Sequence, residues 1–180
     1  MLISLLVADL ERQSTLRGSK RKVSWVALIP NLLHPRFLPN VLIRLSQAAK
    51  LAGVPGIPGI CTYLNIILFG LEVAPRCQIG PGLFLPHTSG TVIGAWRLGK
   101  NATVFQNVTL GAKEIDMGFD PTLRPNVGDN VTLGSGSKIL GGVSVGDNVT
   151  IGANAVVLTS IGSNSVAVGV PAKVVSKSTE

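Results

Sequence analysis

From Val127 onward an aliphatic residue returns at every sixth position, as Val127, Leu133, Ile139, Val145, Ile151 and Val157. Gly follows four of them (Gly128, Gly134, Gly146, Gly152). A second small or apolar side chain stands four places after each (Val131, Ser137, Val143, Val149, Ala155, Ile161). The same grid fits upstream through Val73, Ile79 and Leu85 and, after a slip of one residue, through Val92, Leu98, Val104 and Leu110. Thirteen hexapeptides result, broken once by an insertion of about fourteen residues at 113–126.

Strands of a sandwich alternate by two, whereas a strict period of six predicts short flat strands separated by turns. Asn101, Asn130, Asn148 and Asn154 fall in turn slots, where left-handed backbone angles are tolerated. Three hexapeptides close one triangular coil, and stacked coils pair their strands in parallel. The predicted fold is mainly β, a left-handed parallel β-helix with the aliphatic position inward. That handedness runs against the usual right-handed crossover, so the hexapeptide signature alone carries it. Gly169-Val170-Pro171-Ala172-Lys173 is expected to close the helix at its C-terminal end.

Residues 1–70 lack the repeat. Val41, Leu42, Leu45, Ala48 and Ala49 within Asn40–Ala52 have helical spacing, and the turn-rich run Gly53–Gly59 follows. The chain therefore divides into a helical N-terminal extension, 1–70, and a β-helix, 71–180, carrying the inserted loop at 113–126. Composition agrees with this division. There are 21 Gly and 11 Pro against five Phe, two Trp and one Tyr, as suits many tight turns around a thin core. With 46% hydrophobic and 14% charged residues, the chain is not a disordered one.

The net charge of +7 sits mostly in the extension, where eight Lys/Arg face Asp9 and Glu11. A basic segment of this kind suits anionic partners, and peripheral membrane contact is one such expectation. No nucleic-acid-binding fingerprint accompanies the charge. The longest apolar run, Ile60–Leu71, is too short to span a bilayer, and a cytoplasmic location is expected. Cys61 and Cys77 form neither a disulfide framework nor a CxxC pair.

Of the two histidines, His34 lies in the extension and His87 lies in the β-helix beside the register slip. Glu72 precedes His87 by fifteen residues. With about eighteen residues per coil and strands about 4.8 Å apart, its carboxylate falls near the imidazole. A carboxylate that orients a histidine makes it a general base for a hydroxyl. Glu72 as an ordinary surface charge fits the spacing equally well.

Three stretches carry a family resemblance: Ile79 to Gly90 (IGPGLFLPHTSG), Val104 to Gly111 (VFQNVTLG) and Gly169 to Lys173 (GVPAK). Together they resemble the serine acetyltransferase family of hexapeptide acyltransferases over about 71–175. The resemblance implies acetyl-CoA as donor, His87 as catalytic base, and Glu72 in place of the family's usual Asp. It also implies direct attack of the alcohol on the thioester. Gly111, Ser135, Thr150, Ala153 and Lys173 fall on positions lining an acetyl-CoA groove between two subunits of a homotrimer, with Lys173 approaching the phosphates.

Two departures bear on the acceptor. Pro86 stands where serine-binding members carry an acidic residue, and Leu123-Arg124-Pro125 stands where they carry Arg-His-Pro. The short extension also resembles acetyltransferases of surface-polysaccharide assembly. The expectation is therefore a saccharide hydroxyl as acceptor, in a pocket of Pro86, Gln106 and Arg124 walled by the 113–126 loop. Free serine is the alternative. A metal mechanism like that of the hexapeptide carbonic anhydrases needs three histidines, and the β-helix has only His87, so no metal is expected. A non-catalytic scaffold is the remaining rival.

Overall fold

The computed structural model describes residues 1–19 and 22–175. Helix α1 (Leu2–Leu16), a 3-10 segment (Trp25–Asn31), α2 (Leu38–Leu51) and α3 (Ile57–Phe69) precede the coils. The turn-rich run after α2 ends sooner than its composition predicts. Gly56 takes φ +80° and Pro58 sits in the first turn of α3, where its missing N–H costs nothing. Among the described residues no helix is long and apolar enough to cross a membrane.

The first coil contains β1 (Leu71–Val73) and β2 (Gln78–Ile79), and its third side is the single bridge of Phe84 to Thr103. The second contains β3 (Thr91–Ile93), β4 (Arg97–Leu98) and β5 (Thr103–Val104). The third contains β6 (Thr109–Gly111), β7 (Asn126–Val127) and β8 (Thr132–Leu133). The fourth contains β9 (Lys138–Leu140), β10 (Ser144–Val145) and β11 (Thr150–Ile151). Then come β12 (Val156–Val157), β13 (Val166–Val168) and β14 (Lys173–Val175). Three parallel sheets result. Face A is β1-β3-β6-β9-β12, face B is β2-β4-β7-β10, and face C is β5-β8-β11-β13. Only β14 departs, folding back antiparallel onto β13 with Val168 opposite Lys173. The fold is the left-handed parallel β-helix that the hexapeptides predict.

All six aliphatic positions from Val127 to Val157 point inward and are buried. Asn101, Asn130, Asn148, Asn154 and Asn164 turn the corners at φ near +56°. Asn101, Asn130, Asn148 and Asn164 also pass a side-chain hydrogen bond from coil to coil. Cys77 occupies a small-residue slot at 2% exposure, and burial pushes its thiol up to about 12. It is a core atom, not a nucleophile.

The extension is joined to the first coil by a buried ion pair. Arg44 of α2 and Asp9 of α1 meet at 2.9 Å with both side chains fully inaccessible. Asp9 also accepts the backbone N–H groups of Gly82 and Leu83, each at 2.9 Å. Arg44 uses all five of its donors. Three reach the Ile79 carbonyl, the Gly80 carbonyl and Gln47, and the remaining two reach Asp9. Removing one partner of such a pair leaves an uncompensated buried charge. Asp9→Ala is therefore expected to lower the urea-unfolding free energy by about 3–5 kcal/mol, and the apolar double variant Asp9→Leu/Arg44→Met by clearly less.

Candidate active site

Each corner between face C and face A normally takes six residues, as from Thr103 to Thr109 and from Thr132 to Lys138. In the first coil the same step, from Phe84 to Val92, takes eight. His87 lies in this enlarged corner and is exposed. The bulge is pinned from below, where the Thr88 hydroxyl donates to the Phe69 carbonyl at 2.9 Å, at the end of α3. It is pinned from above by Asn107, whose N–H donates to the Ser89 carbonyl at 3.0 Å. Gly90, at φ +69°, leaves room for the Asn107 side chain, which a Cβ there would strike.

The hydrogen-bond register stacks further predicted residues over this corner. Gly136 N–H donates to the Gln106 carbonyl, and Asn154 N–H donates to the Ser135 carbonyl. Gln106, Ser135 and Ala153 thus occupy successive coils of one column. The Gln106 side-chain oxygen is buried with no partner among the described residues. Thr150 lies in β11 on the adjoining face C, and Lys173 is exposed in β14, the outermost strand of that sheet, with β13 between them. Gly111 ends β6 at the far edge of face A, and a Cβ there would meet nothing within 4 Å.

Glu72 lies in β1, paired with Val92, and is exposed on face A. No hydrogen bond or ion pair joins it to His87 among the described residues. Both groups therefore stand on the outer surface of the same lower coil without the contact that the spacing suggested.

The acceptor pocket read from the sequence is divided. Pro86 and Gln106 share the His87 corner, but the 113–126 loop leaves β6 at the opposite edge of face A and carries Arg124 with it. There Arg124 is engaged on every side. Its Nε donates to the Asp116 carboxylate at 2.8 Å, its Nη2 to the Asp116 carbonyl, and its Nη1 to the Gly94 carbonyl at 2.8 Å. The guanidinium lies 4.0 Å from the centre of the Phe119 ring, and that ring packs on Trp96 with centroids 6.3 Å apart. A 3-10 turn, Pro121–Leu123, is capped by Asp120, whose carboxyl is held below its usual range by hydrogen bonds from Thr122. Sequence reasoning missed Asp116 and Phe119. Neither belongs to the repeat, and only an acidic and an aromatic residue within eight positions of a lone Arg hinted at them.

A family model described as "Bacterial transferase hexapeptide (six repeats)" matches residues 124–159. A serine acetyltransferase of Synechococcus elongatus is 34% identical over 148 residues, which is 82% of this chain and 59% of the relative. This chain is a hexapeptide-repeat protein similar to serine acetyltransferases. It spans between 48% and 64% of the length of the curated relatives it matches. Among solved structures, a Neisseria gonorrhoeae serine acetyltransferase in complex with serine superposes with a TM-score of 0.78 at 29% identity. That match covers 96% of this chain and 68% of the other. A Brucella abortus serine acetyltransferase in complex with coenzyme A superposes with a TM-score of 0.79 at 26% identity, covering 96% and 66%.

Arg124 thus anchors the loop. Its loss removes charge-assisted hydrogen bonds, each contributing about 1.5–3 kcal/mol. Arg124→Ala is expected to raise the rate of tryptic cleavage at Lys113 about tenfold or more, read by limited proteolysis, with far-ultraviolet dichroism unchanged.

Proposed function

We propose that this chain transfers the acetyl group of acetyl-CoA to the hydroxyl of L-serine, and that it does so as a homotrimer. The observation that carries the reading is His87, the one histidine of the β-helix, exposed on a corner enlarged by two residues and pinned from both sides. In the proposed reaction its imidazole takes the proton of the acceptor hydroxyl as the oxygen attacks the thioester carbonyl. The tetrahedral species then expels the CoA thiolate, and the imidazolium returns the proton to that sulfur. Glu72, which makes no hydrogen bond to His87 in the free chain, is assigned as a positioning residue that orients the ring once the acceptor is bound. No acyl-enzyme is needed. His87 suffices for both proton transfers.

The donor is assigned to the column above His87. Ser135, Thr150 and Ala153 flank one side of the prism and Lys173 lies at its upper end, where a cation suits phosphate. Gly111 and Arg124, at the other edge of face A, then serve a site completed by a neighbouring copy. This arrangement explains why the isolated chain separates groups that the sequence motifs bring together.

Serine replaces the saccharide as the favoured acceptor. The saccharide reading rested on Pro86, which removes the carboxylate expected beside the histidine, because a zwitterion needs partners for both its charges. Within one chain Asp116 does not replace that carboxylate, since it is paired with Arg124 across face A from His87, and the serine reading rests on the relatives. The named relatives are serine acetyltransferases, one of them with serine bound.

His87→Ala is expected to lower kcat for L-serine by about 10²- to 10⁴-fold without loss of fold, as measured by thiol release from acetyl-CoA. Glu72→Gln should cost less. Turnover with sugars and none with millimolar L-serine would return the acceptor to the saccharide class, and a His87→Ala variant within a few-fold of the parent would remove the proposed base.

A further inference from the structure

On face B, away from the His87 corner, a groove of about 870 Å³ runs between the N-terminal helices and the first two coils. Leu2 and Leu5 of α1 and Ala48 and Leu51 of α2 form one wall. Trp96 and Phe119 close one end, so the inserted loop that stacks on Arg124 also roofs the groove. The polar lining is of one sign. Lys50, Arg76, Arg97 and Lys100 stand around the groove, and among the described residues none that lines it is acidic.

These charges are not neutralised from within. Arg44 is also in the lining, but Asp9 already balances it. Among the described residues Arg76 bonds only to the neutral Gly118 carbonyl. Arg97 has Asp129 at a distant 3.9 Å, with 52% of its own side chain exposed. An apolar trough edged by four cations selects against sugars, which lack apolar length, and against cationic or neutral lipids, which lack a matching charge.

We propose that this groove binds a single-chain amphiphilic anion, with an alkyl chain along the wall of α1 and α2 and a carboxylate among the rim cations. The site is distinct from the acetyl-transfer site, and the inference does not depend on which acceptor that site uses.

Two tryptophans make the test direct, because Trp96 lines the groove and Trp25 is exposed elsewhere. In a Trp25→Phe background, bromododecanoate below its micelle-forming concentration is expected to quench Trp96 fluorescence saturably. Unbrominated alkanoates should compete, with affinity rising about fourfold for each added methylene. The double reversal Arg97→Glu/Lys100→Glu should weaken binding about tenfold or more. Ala48→Phe should block the trough, and both variants should keep their fold and their acetyl-transfer rate with L-serine. Absence of saturable quenching, equal competition by dodecanol, or undiminished binding in the charge-reversal variant would each overturn the proposal. So would loss of binding as the trimer associates further, since a second copy would then be the occupant.

Discussion

Two side chains thirty-five positions apart, Asp9 and Arg44, meet where water does not reach. Their placement decides how the helical extension sits on the solenoid. Removing both charges from solvent costs several kcal/mol each, and attraction alone does not reliably offset that cost. The geometry offsets it with hydrogen bonds. Asp9 caps two consecutive backbone amides at Gly82 and Leu83, while Arg44 satisfies two carbonyls on the preceding turn. Those amides and carbonyls belong to the loop that leads into the His87 corner. The ion pair therefore ties α1 and α2 to one register of the first coil, and the enlarged corner is built on that register.

Above that coil the structure is governed by repetition. A six-residue step leaves one inward aliphatic side chain per face, so the core is a stack of thin layers with little freedom in size. Function enters where the step is broken. The two extra residues of the His87 corner lift an imidazole out of a surface that otherwise repeats. The long excursion after β6 builds a loop held by a guanidinium wedged between a carboxylate and a ring. Both irregularities are expensive in a regular solenoid, and both sit beside face A.

Much of this was legible in the sequence because the repeat is local. The inward row from Val127 to Val157 and the left-handed Asn corners follow from spacing and backbone preference alone. The burial of Cys77 follows equally from its slot in a hexapeptide. What was not legible depends on pairs distant in sequence or on direction. Nothing in the neighbourhood of Asp9 announces Arg44, since each looks like an ordinary helix-surface charge. Arg124 read as a free ligand for substrate because its partners Asp116 and Phe119 lie in a segment with no period. Pro86, Gln106 and Arg124 looked like one pocket because motif order along the chain says nothing about which edge of a triangular coil a loop leaves from. The start of α3 inside a Gly/Pro run was hidden by residues that serve equally well as turn or first turn.

The reversal of β14 concerns the length of the whole object. A parallel solenoid has no intrinsic stopping point, because the last coil presents the same unpaired edge that received it, and such an edge invites another chain. On face C the outermost strand runs the opposite way, so any strand added there would meet the wrong polarity for a further coil. A six-residue pattern that could in principle grow into a fibre is thereby given an end on that face.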